Sequence, residues 1–519
     1  MKKILIYYPP LISALLLIFS FPRWDQGYLG WFALLPLFFF CQTKGISYWH
    51  YFKGGILCGF VFFSVLYAYM VFSFDFFFPR YFGILIVITA ALYSSLFFGF
   101  FSLGVSFFLR QKSFLVLAVG GSSLWVVLEY LRSLGLLGHT GGYLGYSQSY
   151  YPFLLETTAV YGYWGLSFIM VLFQVILFII LTTAWENKTS NTRGGRVLTP
   201  AKREVLLSTF ILLLLFGAGT ILPSFFTVEK RDEPLNIALV QGNIPQERIL
   251  DKDFAVDNFQ RYLDLSKEAY REYSALDLIV WPETVLSTTV ASLFPQPKEY
   301  ISELSGETGA DLLFGSMYKE EGTEQTYNSI LMQKAGKDEL EDTRYDKIQL
   351  VPFAEYFPSP DILERLFNLQ VDLGMYEPGK EVPLFNLDNM PFGGIICFES
   401  YFHQPALEIV RKGGKHIFVL TNNAWFLDSN GLEQHAQAAA VRATELGTGV
   451  TQVANTGYTI SYNYRGEEIL SMPTHEKGIT LLETSFPERN TLYRQLGNYF
   501  LYLSSGLLLF SIIYTFKRL

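Results

Sequence analysis

The stretch Gly393-Gly394-Ile395-Ile396-Cys397-Phe398-Glu399 decides how we interpret this 519-residue chain. A short apolar run ends in a cysteine, and a carboxylate follows two residues later. Short apolar runs of this kind are consistent with buried strands, and a side chain at the end of a strand is held in place by the sheet. We therefore interpret Cys397 as a candidate nucleophile.

The composition indicates a membrane protein. Half of the residues are hydrophobic and 17% are aromatic, including 48 Phe and 33 Tyr, which is more apolar than an ordinary soluble domain. The formal net charge of -8 argues against a nucleic-acid partner. The three cysteines, Cys41, Cys58 and Cys397, form neither a disulfide framework nor a paired-cysteine zinc pattern. We find no metal motif and no nucleotide-binding loop, so no cofactor is expected.

Eight apolar segments predict membrane-spanning helices. They are residues 3–20, 27–41, 54–74, 82–109, 114–132, 156–184, 204–225 and 497–515. We interpret the first as a retained helix, because no small-residue cleavage site follows it. The second is short for a span and is expected to be tilted or aided by flanking aromatic residues. These segments divide the chain into seven spans in 1–225, a polar segment 226–496, and an eighth span in 497–519.

Basic residues predict the orientation of these spans. Lys and Arg concentrate at both ends of the chain and in every second connection, whereas the opposite short loops carry only Arg23, Arg80 and Arg132. By the positive-inside rule, both termini face the cytoplasm and residues 226–496 face outward. In a bacterium that side is the periplasm, so the predicted location is the inner membrane.

The polar segment alternates between strand and helix patterns, which predicts a layered α/β domain. Predicted strands are Asn236–Gln241, Asp277–Trp281, Asp311–Met317, Tyr327–Gln333, Phe392–Cys397, His416–Thr421, Val450–Ala454 and Thr459–Tyr464. Predicted helices cover residues 254–274, 296–309, 402–413 and 432–447.

Three positions in this segment can support nucleophilic catalysis. Glu283 follows a strand and a proline, Lys347 precedes Glu355 by eight residues, and Cys397 ends a strand. A thiol needs a base, for which Glu283 is a candidate, and Lys347 with the backbone N–H of Phe398 can stabilise developing negative charge. Each residue alone is weak evidence, because a buried Cys is commonly inert, a Glu after Pro is commonly a cap, and a Lys is commonly solvated.

In their order Glu, Lys, Cys, these residues resemble the motifs of the nitrilase superfamily, and most closely its membrane-embedded branch, the apolipoprotein N-acyltransferases. The resemblance covers nearly the whole chain. It is carried by Trp125-x-x-x-Glu-x-x-Arg132, Gly145–Gln148, Val240–Pro245, Trp281–Glu283, Tyr345–Pro358, Cys397–Glu399, Asn422–Phe426, Gln434-His435 and Arg442–Glu445.

The resemblance implies an eight-span helical bundle carrying an αββα nitrilase-like sandwich. It implies Glu283 as general base, Lys347 as stabiliser of the thiolate and oxyanion, and Cys397 as the S-acylated nucleophile. Glu355 would orient Lys347, and Glu399 would fix the nucleophile turn. The implied reaction takes an acyl chain from a phospholipid to the α-amine of a diacylglyceryl-cysteine at the N-terminus of an apolipoprotein, with no cofactor. We expect a monomer.

Five residues depart from the family pattern. Phe398 replaces the common Tyr, Ala354 replaces Gly, Asn423 replaces Asp, and Ile249-Leu250 replaces a Lys-Trp pair. None of them is Glu283, Lys347 or Cys397, so we expect the departures to affect substrate detail and rate.

Two further interpretations follow from the sequence. The apolar segment Ser359–Lys380 is predicted to be a mobile arm over the site. The alternatives to acyl transfer are an anchored hydrolase of small amides or nitriles, and a transporter or assembly platform with a decayed outer domain.

Overall fold

The computed structural model describes residues 6–76, 78–110, 113–135, 138–189, 202–273, 275–287, 297–320, 322–356 and 376–517. The chain forms two compact units. The helical unit comprises Met1–Val71, Phe78–Phe226 and Thr491–Leu519, and the sheet unit comprises Phe72–Phe77 and Thr227–Asn490. Of the predicted arm, residues 359–375 lie outside the described residues.

The helices follow the apolar and amphipathic segments of the sequence. They are α1 Tyr8–Ser20, α2 Leu35–Cys41, α3 Tyr48–Leu66, α4 Tyr69–Asp75, α5 Arg80–Phe108, α6 Phe114–Arg132, α7 Pro152–Leu155, α8 Thr157–Thr189, α9 Lys202–Ile221, α10 Gln246–Leu250, α11 Ala255–Tyr273, α12 Pro297–Thr308, α13 His403–Arg411, α14 Gly431–Leu446, α15 Leu492–Leu496 and α16 Tyr499–Phe516. Short 3-10 helices lie at Gly27–Trp31, Leu144–Gln148, Leu222–Phe225, Lys252–Phe254, Cys397–Tyr401 and Asn423–Phe426.

Within the described residues, six helices are long and apolar enough to cross a membrane. They are Tyr48–Leu66, Arg80–Phe108, Phe114–Arg132, Thr157–Trp185, Lys202–Phe225 and Tyr499–Phe516. The first two predicted spans form the shorter apolar helices Tyr8–Ser20 and Gly27–Cys41, so the count of eight stays a prediction. Large apolar side chains on α9, such as Phe210 and Leu213, are more than half exposed, as expected for a surface that contacts lipid.

The strands belong to two six-stranded sheets and one small ribbon. They are β1 Val228–Glu229, β2 Leu235–Gln241, β3 Leu278–Val280, β4 Asp311–Lys319, β5 Thr326–Gln333, β6 Tyr345–Asp346, β7 Phe385–Leu387, β8 Met390–Ile396, β9 His416–Thr421, β10 Gly449–Ala454, β11 Ile460–Tyr462, β12 Glu468–Ser471, β13 Gly478–Thr484 and β14 Glu488–Arg489. The first sheet has the order β13-β2-β3-β4-β5-β6, and the second has the order β12-β11-β10-β9-β8-β7. Strands β2, β3 and β4 run parallel in the first sheet, and strands β8, β9 and β10 run parallel in the second. The outer strands of both sheets pair antiparallel with their neighbours.

The sheet unit has four layers, αββα. Helices α11 and α12 cover the first sheet, where Phe259 and Leu263 pack with Trp281 and Phe314 in one buried cluster. Helices α13 and α14 cover the second sheet, and the two sheets meet through β2 against β10 and β5 against β8. The nitrilase-like sandwich expected from the resemblance is therefore present.

The paired glycines of β8 show why this strand fits between two layers. A Cβ on Gly393 would lie 2.5 Å from Ile409 of α13, and a Cβ on Gly394 would lie 2.6 Å from Ile330 of β5. Successive residues of a strand face opposite sides, so one glycine lets the helix approach and the next lets the other sheet approach. This close packing fixes the strand whose next residue is Cys397.

Candidate active site

Cys397 lies at a sharp change of backbone direction. Strand β8 ends at Ile396, and Cys397 has a φ of 49°, in the left-handed region that non-glycine residues rarely adopt. Such a conformation costs on the order of 1–3 kcal/mol and persists only where the surroundings hold it. One such contact is His435, whose Nε2 lies 2.8 Å from the Cys397 carbonyl oxygen.

Glu399 fixes this turn and the lysine segment together. Its fully buried carboxylate accepts hydrogen bonds from four donors. They are the hydroxyl of Tyr345 at 2.7 Å, the N–H groups of Ile348 at 2.8 Å and Gln349 at 3.0 Å, and the N–H of Ile396 at 2.8 Å. Burial raises the pKa of Glu399, although these donors favour the charged form. Tyr345 and Ile348 lie on either side of Lys347, and Ile396 directly precedes Cys397. Glu399 therefore holds the lysine segment and the cysteine turn in a fixed relative position.

Lys347 is buried between two carboxylates. Its side chain is 1% exposed, and its Nζ lies 2.8 Å from Glu355 Oε1 and 3.5 Å from Glu283 Oε1. Burial alone would lower the pKa of Lys347, but Glu355 and Glu283 outweigh it and raise the pKa above its ordinary value. The lysine therefore stays positively charged at neutral pH.

Glu283 receives donors from both sheets. It follows β3 by way of Trp281 and Pro282, and its side chain is 8% exposed. Its Oε2 accepts the N–H of Asn422 at 2.8 Å, directly after β9, and its Oε1 accepts the amide of Asn328 at 2.8 Å. The carboxylate is thus held at the junction of the sheets with one oxygen towards the lysine.

Asn328 is a site residue that the sequence did not identify. Its Nδ2 donates to Glu283 Oε1 at 2.8 Å and to Glu355 Oε1 at 3.0 Å, and its backbone carbonyl accepts the backbone N–H of Lys347 at 2.8 Å. A second oxygen of Glu355 accepts the N–H of Val351 at 2.8 Å. The sequence offered one indication, an Asn within a predicted strand, where this residue type is depleted.

Cys397 is buried among these charged groups. Burial raises the pKa of its thiol to about 12, Glu283 acts in the same direction, and Lys347 and a hydrogen bond from Thr421 act against them. At neutral pH the sulfur therefore holds its proton until a base removes it. Phe398, the next residue, is half-buried, and its ring centroid lies 5.1 Å from that of Phe402.

The structure thus brings all six predicted site residues into one region of the sheet unit. Glu283, Lys347 and Glu355 are joined by direct contacts, while Glu399 links the lysine segment to the turn at Cys397. Within the described ranges, no group of three or more His, Cys, Asp or Glu side chains is arranged to bind a metal ion. A thiol nucleophile, a carboxylate base and a buried ammonium can together carry out nucleophilic acyl transfer.

Both units match known proteins. Residues 236–497 match the carbon-nitrogen hydrolase family, and residues 13–176 match the apolipoprotein N-acyltransferase N-terminal domain. Apolipoprotein N-acyltransferase 1 of Treponema denticola is 26% identical, over 94% of this chain and 92% of its own length. Apolipoprotein N-acyltransferase of Geobacter metallireducens is 28% identical, over 95% and 92%.

Among solved structures, an amidase from Nesterenkonia sp. is similar, with 16% identity and a TM-score of 0.38. The match covers 52% of this chain and 95% of the amidase. The long apolar helices and the relatives together indicate a multi-pass membrane protein. The chain belongs to the carbon-nitrogen hydrolase family, in a form whose N-terminal part matches that of apolipoprotein N-acyltransferases.

Proposed function

We propose that this protein transfers a fatty acyl chain from a membrane phospholipid to the α-amine of the diacylglyceryl-cysteine at the N-terminus of apolipoproteins. The observation that carries the proposal is the buried Lys347 ammonium, held between Glu283 and Glu355 in the same site as Cys397. The relatives named as apolipoprotein N-acyltransferases supply the reaction class.

In the first half-reaction, Glu283 removes the thiol proton of Cys397 as the sulfur attacks the ester carbonyl of the phospholipid. Lys347 stabilises the thiolate and then the tetrahedral oxyanion. Collapse breaks the carbon–oxygen bond of the ester, and the leaving alkoxide takes the proton from Glu283. The products are a thioester on Cys397 and a lysophospholipid.

In the second half-reaction, the α-amine of the acceptor attacks the thioester. Glu283 takes the proton that the amine loses, the carbon–sulfur bond breaks, and the Cys397 thiolate regains the proton from Glu283. The product is an amide on the lipoprotein. Glu355 and Glu399 do not exchange protons in this scheme, because their role is to position Lys347 and the turn at Cys397.

We place the sheet unit in the periplasm and both termini in the cytoplasm, with eight spans in the inner membrane and one chain acting as a monomer. The distribution of Lys and Arg supports this orientation. An impermeant maleimide added to intact spheroplasts should label Glu324→Cys and should label Lys44→Cys only after permeabilisation. The reverse pattern would contradict the orientation.

The test of the chemistry is to trap the acyl-enzyme. The purified full-length protein is incubated with a phospholipid of defined acyl chains, quenched in acid and mapped by mass spectrometry. We expect one acyl group on Cys397 and an equal amount of lysophospholipid. Cys41→Ala, which removes another buried thiol, should keep the adduct, and Cys397→Ala should lose it. An adduct on another residue would refute the mechanism. Turnover of small amides without any phospholipid adduct would favour the hydrolase alternative.

A further inference from the structure

A buried histidine of α14 contacts the backbone at the nucleophile. His435 Nε2 lies 2.8 Å from the carbonyl oxygen of Cys397, and a carbonyl oxygen can only accept, so Nε2 carries the hydrogen of this bond. Burial lowers the pKa of His435 to about 4, so the ring is neutral at pH 7 and this is its single N–H. The other nitrogen, Nδ1, lies 3.1 Å from the side-chain amide of Asn423. Both nitrogens thus have partners other than the sulfur, and His435 is not arranged as the base for the thiol.

Aromatic packing fixes the position of this ring. His435 is 1% exposed and stacks on Tyr401, with ring centroids 5.7 Å apart and an interplanar angle of 22°. The Phe426 ring meets it edge-on, with centroids 6.4 Å apart. Tyr401 belongs to the 3-10 helix Cys397–Tyr401, which begins at the nucleophile itself. The ring therefore has little freedom to turn, and its N–H stays directed at one carbonyl oxygen.

This hydrogen bond orients the peptide group that joins Cys397 to Phe398. The peptide is planar and trans, so its C=O and its N–H point in opposite directions. Because His435 holds the oxygen, the N–H of Phe398 is turned to the other side. His435 also fills the space at the oxygen, so an acyl group that reaches the sulfur meets the N–H side of this peptide.

The contacts on the two sides of the nucleophile have different targets. Glu399 accepts the N–H of Ile396 at 2.8 Å and so fixes the chain before Cys397, whereas His435 holds the carbonyl after it. Rotation of this later peptide group would put a carbonyl oxygen where the N–H had been. A carbonyl oxygen repels the oxyanion that forms during acyl transfer, whereas an N–H stabilises it.

We propose that His435 is a positioning residue whose Nε2 hydrogen bond keeps the N–H of Phe398 directed at the oxyanion formed when Cys397 attacks an acyl group. Lys347 and this N–H then stabilise the oxyanion together. The inference rests on the proposed role of Cys397 as nucleophile, but it does not depend on which acyl donor the protein uses.

Two substitutions separate the two ring nitrogens. An Asn side chain puts its amide nitrogen close to the position of Nδ1, so His435→Asn keeps a polar group beside Asn423 and loses the bond to Cys397. A Gln side chain puts its amide nitrogen close to the position of Nε2, so His435→Gln can still donate to the Cys397 carbonyl. If His435→Asn does not fold, His435→Leu takes its place.

The assay is acylation of Cys397 by p-nitrophenyl butyrate, which needs no phospholipid. The full-length protein in detergent is mixed with the ester, release of p-nitrophenolate is followed, and the butyryl thioester is mapped by mass spectrometry. In this step the sulfur–carbon bond forms, the ester carbon–oxygen bond breaks, and the thiol proton passes to Glu283. The thiono analogue, in which sulfur replaces the carbonyl oxygen, is measured in parallel because sulfur is a weak hydrogen-bond acceptor.

Acylation by the oxygen ester should slow roughly 100-fold in His435→Asn, as when one oxyanion donor is lost, and should stay within about tenfold of the wild-type rate in His435→Gln. Acylation by the thiono ester should slow less than about tenfold in either variant, because its transition state depends little on the N–H. Equal slowing with the two esters would overturn the role at the oxyanion, since a merely distorted site would slow both.

Two other outcomes would also overturn the proposal. They are acylation of His435→Asn at the wild-type rate, and acylation of His435→Gln as slow as that of His435→Asn. Failure of the proposed function gives a different result, because the rates with the two esters would follow the expected trends while no acyl chain is taken from phospholipid.

Discussion

Replacement of Lys347 by Met tests the charge arrangement of the site. The change removes an ammonium that lies 2.8 Å from Glu355 and 3.5 Å from Glu283, and leaves Asn328 as the donor that these carboxylates share. Removing one partner from a buried ion pair costs about 3–5 kcal/mol. Each kcal/mol shifts Tm by roughly 2–4 °C in a domain of this size, so Tm at pH 7 should fall by roughly 6–20 °C.

The change should also remove most of the activity, because the Lys347 ammonium is the proposed stabiliser of the oxyanion. Acyl transfer should fall by at least about 100-fold, as when an oxyanion donor is removed.

The assay is thermal unfolding of the full-length protein in detergent micelles, followed by intrinsic fluorescence. The matched control is Lys267→Met. Lys267 Nζ lies 2.8 Å from Glu307, and the two side chains are 41% and 60% exposed, respectively. Exposed pairs contribute about 0–1 kcal/mol, so its Tm should change by no more than roughly 2–4 °C. If Lys347→Met melts within the range of this control, the assigned charge arrangement is wrong.

Three further changes follow from the geometry. Glu399→Gln places an amide NH₂ group among N–H and O–H donors, so some of these donors lose their acceptor. The free energy of unfolding should fall by about 1–3 kcal/mol for each group left unpaired, and acylation of Cys397 should slow. Wild-type stability and a wild-type acylation rate would contradict the proposal that Glu399 holds the turn at Cys397. A Cβ on Gly315 would lie 2.6 Å from Glu283 Cα, so Gly315→Ala should displace Glu283 and lose transfer activity. The control is Gly306→Ala, where a Cβ meets open space and Ala favours the helix, so its Tm should equal or exceed that of the wild type. Burial lowers the pKa of His416 to about 3. The unfolded chain therefore takes up a proton near pH 6.5 that the folded protein does not, so the free energy of unfolding falls as the pH drops below that value. His416→Gln should flatten the Tm–pH curve between pH 6 and 4, and an unchanged slope would refute this.

Much of the sheet unit was predictable because its inner strands are short apolar runs. The eight predicted strands are all present, with ends shifted by at most two residues. The strand predicted through Cys397 ends at Ile396, where the backbone turns. Six strands were not predicted. Strands β1, β6 and β14 have only two residues each, too few to form a pattern. Strands β7, β12 and β13 lie at the edges of the sheets and include exposed or half-exposed residues, so no continuous apolar run marks them.

The candidate site was predictable only in part. Glu283, Lys347 and Cys397 stand out because each follows a strand in a recognisable motif. Asn328 lies inside β5, and its partners Glu283 and Glu355 are 45 and 27 residues away along the chain, so no spacing in the sequence reveals it. Contacts across two sheets depend on register and layer packing, which the local pattern does not specify.

The way the two sheets share the site has a consequence for how the protein folds. Glu283 meets Asn422, which is 139 residues further along the chain, and Glu399 meets Tyr345 across 54 residues. Contacts so distant in sequence tend to form late, because loop closure is unfavourable until many of them form together. A newly made chain would then carry an exposed thiol, remote from its base, until its sheets dock. Because docking buries this thiol and raises its pKa, the loss of iodoacetamide reactivity at Cys397 during refolding would time the docking of the two sheets.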